Sequence, residues 1–445
     1  MVLPNFELNG VHYPIYNPPS HAEYTELPDD RYFVRKDANC DEVIEYRNRG
    51  LRAIADGRLC VLVLCGGQAS RLGALKPKGT LPLQLGGRFD TLLRLQAAQI
   101  IRLQNLAKTM YPESEPHIIW FLFPSLRAVM VSESTETAVR EHLTEICREF
   151  KFPQKNVIVF KQNESPCFDF HGKVLYKSND QIQTAPNGNG GLYDAIRVPL
   201  DKLDKQDVLT VLEKRGVQYF HVYCVDNILC RVGDPVFVGY SIMKGADCAA
   251  KVVEKVDPNE KVGVICLSGD RPTVVEYSEI SKEMAEQRTA NGKLAFRAGN
   301  IANHFFTMHF MKNTINHPLD YHIAKKKIKY FDGVSSQLKT PDEPNGYKLE
   351  RFIFDVFPLA RNFFVFQVES TEEFSPLKND DSANVDCPRT CREALANLHA
   401  KWLKDAEANT TQKLYVSPFL SYDGEDLNNI RAALGSAKDG WIDVQ

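Results

Sequence analysis

The chain has 445 residues, a formal net charge of −3, 43% hydrophobic residues and 25% charged residues. Those values fit a globular chain of about two or three domains and exclude the broad basic surface that nucleic acid or an anionic membrane demands. Eleven cysteines without zinc-type CxxC pairs read as reduced thiols of a cytoplasmic protein. No apolar run reaches the roughly 18 residues of a membrane span, and no signal-peptide pattern opens the chain.

The first fifty or so residues are rich in proline, tyrosine and charge and read as extended chain, an N-terminal arm or cap over residues 1–52. From there apolar runs alternate with helical periodicity. Strands are predicted at 60–64, 118–123, 157–160, 219–225, 248–253 and 262–267, with helices at 91–108 and 132–150. That alternation predicts an α/β core with a mostly parallel sheet, placed at residues 53–366. The basic run Lys325, Lys326, Lys327 and Lys329 reads as the solvated end of a helix. Beyond it the alternation fades, and a C-terminal domain is expected at 367–445, with a helix over 388–403.

In open α/β sheets ligands sit beyond the carboxyl ends of the strands, so the chemistry should follow the apolar runs. The first run, LCVLVL at 59–64, stops at Gly66 and Gly67 and opens into a loop carrying Arg71, Pro77, Lys78 and Gly79. The glycines let backbone amides approach an anion, and the two cations add mobile positive charge. The spacing fits neither GxGxxG nor GxxxxGK[ST]. The run GVQYFHVYCVDN ends on Asp226 and Asn227, where an acid either holds Mg²⁺ beside phosphate oxygens or caps the next helix. APNGNGGLYDAI, 185–196, is a glycine turn entering a helix; it either lays amides against a base or sugar or is simply a turn. GNIANHFF, 299–306, presents two amides and His304, an imidazole that by itself reads as structural, and Lys378 follows a Ser-Pro turn in EFSPLKND. Neither GxSxG nor HExxH occurs. A phosphate loop, a strand-end acid and several lysines point to phosphoryl or nucleotidyl transfer, in which positioning and charge neutralisation do most of the catalysis.

Six longer strings, APNGNGGLYDAI, HVYCVDNILC, KGADCAAKVVEK, VVEYSEIS, AGNIANHFF and EFSPLKNDDS, resemble in the same order those of the eukaryotic UDP-N-acetylglucosamine pyrophosphorylases, and the likeness runs from about residue 61 to 424. The resemblance implies a Rossmann-like nucleotidyltransferase core of the nucleotide-sugar pyrophosphorylase type. It implies that UTP and N-acetylglucosamine 1-phosphate give UDP-N-acetylglucosamine and pyrophosphate with Mg²⁺, or Mn²⁺ in its place, and that the partners are small molecules rather than nucleic acid or membrane. By the same likeness, Gly66 and Gly67 would meet the uridine and phosphates, while Gln162 and the turn from Thr184 to Gly188 would hold uracil. Asn189, Glu276 and Asn300 would grip the amino sugar, and Phe352 and Phe354 would shape the N-acetyl pocket. Asp226 would coordinate the metal, Arg71 and Lys78 would neutralise the departing pyrophosphate, and Lys378 the phosphate joining sugar to nucleotide. The attacking sugar phosphate is already anionic, so the barrier is repulsion between anions and no general base is required. The loop departs from the family's GGQGTRLG at Ala69 and Ser70, and Cys65 stands for a usual alanine. Preference for N-acetylgalactosamine 1-phosphate or another sugar 1-phosphate, and a UDP-sugar-binding pseudoenzyme, stand as the alternatives.

Overall fold

The apolar run at the head of the glycine loop forms the strand Leu59–Leu64, with all six side chains buried. Absence of polar alternation is what a strand covered on both faces requires. The computed structural model describes residues 4, 6–17, 24–65, 77–123, 132–160, 163–199, 205–408 and 410–443. Gly66, Gly67, Ala69, Ser70, Arg71 and Gln162 lie outside the described residues. The strand belongs to an eleven-stranded sheet whose main path runs Tyr32–Val34, Phe363–Val368, Cys248–Glu254, Ala298–Thr307, Tyr219–Cys224, Leu59–Leu64, Ile119–Phe123, Val157–Val159. Neighbours on this path are parallel except at Ala298–Thr307, which runs against both of its own. The carboxyl ends of Leu59–Leu64, Tyr219–Cys224, Cys248–Glu254 and Phe363–Val368 therefore share one edge with the start of Ala298–Thr307.

Alternate residues of the Leu59–Leu64 strand feed two cores. Leu59, Val61 and Val63 pack with apolar residues of the helices Cys40–Ala55, Leu92–Met110 and Pro235–Met243. Cys60, Leu62 and Leu64 pack with those of Leu192–Ala195, Val208–Lys214 and Met308–Thr314. Helix starts are capped by side chains that accept backbone N–H groups, Asn39 from Asp41 at 3.0 Å, Thr91 from Arg94 at 3.3 Å and Asp234 from Val236 at 3.0 Å, each a contribution of about 1 kcal/mol.

The N-terminal segment enters this architecture directly. Tyr32–Val34 pairs in parallel with Phe363–Val368 at the sheet edge, and the helix Cys40–Ala55 spans residue 52, where the arm was expected to end. Of the basic run expected as a helix end, Lys325 and Lys326 lie instead in a strand, and Lys327 and Lys329 follow it outside any helix. His322–Lys326 pairs antiparallel with Gly346–Glu350, which pairs with Phe168–Asp169. Ladder hydrogen bonds to Gly346–Glu350 override the local helical pattern of the lysines, since tertiary pairing outweighs intrinsic propensity. Phe6, Phe168, Tyr321, Tyr347 and Leu349 form a small separate core there. At the other end of the chain, the helix Pro388–Asp405 places Cys391, Leu395, Ala396 and Leu398 in the main core and Leu403 in a C-terminal cluster with Leu414, Val416, Leu427, Ile430 and Ile442.

The helices Cys40–Ala55 and Pro235–Met243 cross with almost no separation at two glycines. A β-carbon added to Gly239 would stand 1.8 Å from the Tyr46 carbonyl oxygen, and one on Gly50 2.0 Å from that of Pro235. Backbone on both sides cannot give way locally, so Gly239→Ala is expected to destabilise the protein by about 2–3 kcal/mol, as overpacking does. A urea denaturation midpoint compared with that of the unmodified protein measures it.

Candidate active site

At the carboxyl end of Tyr219–Cys224 the chain leaves the sheet through Val225 and Asp226. Gln96, itself buried, donates to the Val225 carbonyl at 3.0 Å and accepts from Tyr223 Oη at 3.2 Å, so a helix holds the strand end. The turn Lys78–Thr80 lies against the same point. A β-carbon on Gly79 would come within 2.9 Å of Leu93 and 3.0 Å of Val225, a close approach that only glycine permits. Lys78 Nζ thereby reaches Asp226 Oδ2 at 3.0 Å, with side-chain exposures of 12% and 23%.

The third member comes from far along the chain. Leu377 N–H donates to the Asp226 carbonyl at 2.8 Å. The buried Asn227 donates through Nδ2 to the Glu373 carbonyl at 2.7 Å and accepts from Ser375 N–H at 2.9 Å. These bonds bind the segment 373–377 to the strand end and bring in Lys378, whose Nζ lies 3.7 Å from Asp386 Oδ2. Burial first, and then the Asp226 charge, push the Cys224 thiol up to about 12, while Lys78 and Lys378 both pull the other way. Both ammonium groups therefore act on the same strand end.

Beneath this junction lies a buried ionic cluster. Lys251, fully buried, contacts Asp234 Oδ2 at 2.6 Å and Glu373 Oε2 at 2.5 Å. Glu373 also takes Arg35 at 3.0 Å and Arg231 at 3.6 Å. The Asp234 carboxyl, although penalised by burial, is held well below the usual range by Lys251, Arg35 and Arg231.

A second group forms around the glycine turn. Gly188 has φ +81°, and a β-carbon there would meet the Arg351 carbonyl oxygen at 2.2 Å. Gly190 N–H donates to that same carbonyl at 2.8 Å, Arg351 N–H donates to the Asn187 carbonyl at 2.8 Å, and Asn189 Oδ1 accepts from Ile353 N–H at 2.9 Å. The turn is thus fastened to the segment bearing Phe352 and Phe354, whose rings stack at 5.0 Å. Thr184 lies in the strand Thr184–Pro186 with its hydroxyl donating to Glu164.

Glu276 and Asn300 meet at Gly263. The Gly263 carbonyl accepts from Asn300 N–H at 2.8 Å, and a β-carbon on Gly263 would stand 2.8 Å from Glu276 Oε1. Burial, then the neighbouring Glu279 charge, raise the Glu276 carboxyl to about 7, with His322 and Lys378 opposing. The Lys378 charge is therefore felt both at Cys224 on the strand end and at Glu276.

His322 and Asp355 complete the second group, and no motif in the sequence marks them. His322 Nε2 lies 3.0 Å from Asp355 Oδ1 and Nδ1 lies 3.7 Å from Glu279 Oε1. Against the penalty of burial, these two carboxylates lift the imidazole to about 9. The only legible hint is the spacing Phe352-x-x-Asp355, which lets Asp355 Oδ2 accept from Phe352 N–H at 2.7 Å. His304 is fully buried and pushed down to about 3 by desolvation, in keeping with a structural role.

Among the described residues no three metal-ligating side chains cluster. Asp226 offers a partly exposed carboxylate beside Lys78. That donor set suits a hard cation taking its other ligands from phosphate and water and does not suit a protein-enclosed site.

A carboxyl whose folded pKa lies above the ordinary value of about 4.3 favours the folded state below that ordinary value and loses this contribution as pH rises through its folded pKa. For Glu276 the window runs from the ordinary value up to about 7. Glu276→Gln should therefore raise the melting temperature at pH 8, where the native residue is a desolvated anion, and leave it nearly unchanged at pH 4, where the native carboxyl is neutral. Thermal melts at the two pH values check the sign.

The family model for UTP–glucose-1-phosphate uridylyltransferase matches residues 37–412. A probable UDP-N-acetylglucosamine pyrophosphorylase of Caenorhabditis elegans is 43% identical over 421 residues, 93% of this chain and 83% of that protein. The UDP-N-acetylglucosamine pyrophosphorylase of Saccharomyces cerevisiae is 39% identical over 398 residues, 87% of this chain and 79% of its own. Among solved structures, the UDP-N-acetylglucosamine pyrophosphorylase of Trypanosoma brucei in complex with an inhibitor superposes with a TM-score of 0.81 at 27% identity, covering 93% of this chain and 83% of that one.

Proposed function

The chain belongs to the UTP–glucose-1-phosphate uridylyltransferase family, and from that premise we propose that it joins UTP to N-acetylglucosamine 1-phosphate, giving UDP-N-acetylglucosamine and pyrophosphate. The observation that carries this reading is the meeting of Lys78, Asp226 and the Lys378 segment at one strand end, with Glu276, Asn300, Phe352 and Phe354 gathered in a second group whose Glu276 carboxyl also feels the Lys378 charge. A phosphate oxygen of the sugar 1-phosphate attacks the α-phosphorus of UTP, and the bond to the β-phosphate oxygen breaks in line. The electron pair leaves with pyrophosphate, so no residue has to take a proton.

Lys78 is assigned to the charge that grows on the leaving group, with Arg71 of the same loop to help it. Lys378 neutralises the sugar phosphate, which lowers the repulsion between two anions. Asp226 is the residue that would hold Mg²⁺, or Mn²⁺, and the cation when bound supplies further neutralisation of triphosphate charge. Lys78 pairs with Asp226, and phosphate oxygens of the nucleotide would compete for that lysine. The turn at Thr184 to Gly188, with Gln162, Gly66 and Gly67, is assigned to the uridine, and Asn189 to the sugar. Residues 53–366 would then supply all of these groups except Lys378, which the segment beyond contributes. Eleven free cysteines favour a reducing, cytoplasmic setting, and among the described residues no helix is long and apolar enough to cross a membrane.

Pyrophosphate release from UTP and Mg²⁺ with N-acetylglucosamine, N-acetylgalactosamine and glucose 1-phosphates should show the highest kcat/KM for the first. A protein that binds UDP-N-acetylglucosamine yet releases no pyrophosphate with any of the three contradicts catalysis, and a higher kcat/KM for another sugar corrects the substrate. Lys78→Ala is expected to lower kcat about 100-fold or more with a smaller change in KM, the signature of a charge contact made mainly in the transition state. The same assay on that variant reads it.

A further inference from the structure

Four rings stand in file from the N-terminal segment to the sugar group. Tyr16 lies 4.6 Å from His322, His322 4.7 Å from Phe352, and Phe352 5.0 Å from Phe354, centroid to centroid. Tyr16 is delivered by a segment docked on the small sheet, where Tyr16 N–H donates to the Tyr321 carbonyl at 2.9 Å and Tyr321 N–H to the Pro14 carbonyl at 2.8 Å.

His322 is tied to both sides of that group. Through Nε2 it holds Asp355, whose other oxygen accepts from the Phe352 backbone, so the imidazole constrains Phe352 at its ring and at its amide. Through Nδ1 it faces Glu279, and Glu279 N–H donates to the Glu276 carbonyl at 2.9 Å in the same turn. One side chain thereby links the Phe352 side to the Glu276 side. Close packing does not do this instead. A cavity of ≈ 220 Å³ borders the file, lined in part by Tyr16, His322, Phe354 and Asp355, so three of the four rings have open space on one side.

We propose that His322 is a positioning residue for sugar selection, setting the spacing between the Glu276 and Phe352 walls, with Tyr16 of the N-terminal segment as its outer support. The inference rests on the assignment of Glu276, Phe352 and Phe354 to the amino sugar. Removing the imidazole frees Asp355 and, with it, the Phe352 amide that Asp355 holds. Affinity for the acetamido sugar then falls, while the uridine turn, held by Asn187 and Arg351, keeps its grip.

Calorimetry with UDP-N-acetylglucosamine, UDP-glucose and UTP on the full chain tests this without depending on turnover. His322→Ala should weaken UDP-N-acetylglucosamine about tenfold, leave UTP within about twofold and shrink the preference over UDP-glucose, a loss of about 1.4 kcal/mol confined to the sugar. Tyr16→Leu should shift the preference the same way by a smaller factor. An unchanged preference in His322→Ala, or equal weakening of UTP and UDP-N-acetylglucosamine, overturns the inference. Should His322→Ala fail to fold by circular dichroism, an unchanged preference in Tyr16→Leu overturns it instead. A wild-type protein with no preference for UDP-N-acetylglucosamine overturns the sugar assignment and the inference together, whereas a selective wild type with an equally selective variant overturns the inference alone.

Discussion

At the end of the strand Tyr219–Cys224 the backbone must leave the sheet while one carboxylate stays fixed and accessible. Two sets of bonds achieve this. The Asp226 carbonyl accepts from Leu377 N–H, and the Asn227 amide spans from the Glu373 carbonyl to Ser375 N–H. Residues about 150 positions apart are joined through backbone groups whose partners are buried, where an unmade hydrogen bond costs roughly 1–3 kcal/mol. The backbone that carries Lys378 is thus fixed beside Asp226 by pairing at residues 226, 227, 373, 375 and 377. The proposed chemistry needs this, because charge neutralisation works only when cations stand in place before charge develops.

The ionic cluster under the junction has a different task. A lysine with no exposure between two carboxylates gains little net stability over an apolar substitute, because desolvation offsets most of the attraction. Its geometry is what matters here. Lys251 comes from the central sheet, Asp234 caps the helix Pro235–Met243, and Glu373 stands just before the Lys378 loop, with Arg35 of the N-terminal segment closing the set. Loss of one member strands the others as buried charges, a penalty of about 3–5 kcal/mol. We read the cluster as the anchor that keeps the short helix Ser370–Glu373 in one place and so keeps the Asn227 bonds in register.

Much of this was legible in the amino-acid sequence because it is local. Six consecutive apolar residues at 59–64 announce a doubly covered strand, and an acid directly after the run ending at Val225 falls at the ligand edge of a parallel sheet. The glycine turn at 187–191 was legible as a turn, and its close approach to Arg351 explains why glycine is needed there. What was not legible is long-range. Lys325 to Lys327 read as a helix end because the pairing of His322–Lys326 with Gly346–Glu350 leaves no periodic trace in either segment. His322 and Asp355 stayed hidden for the same reason, since a lone histidine in LDYHIAKKK acquires its role only from Tyr16, Phe352 and Glu279, which the fold brings to it.

Whether Asn227 acts through Lys378 is read by a double-mutant cycle on kcat/KM for pyrophosphate release. If it does, Asn227→Ala lowers kcat/KM about tenfold or more in the native background and less than about twofold when Lys378 is already alanine, a strongly non-additive pair. An equal loss from Asn227→Ala in both backgrounds would mean that Asn227 supports the strand end alone, and would contradict the account.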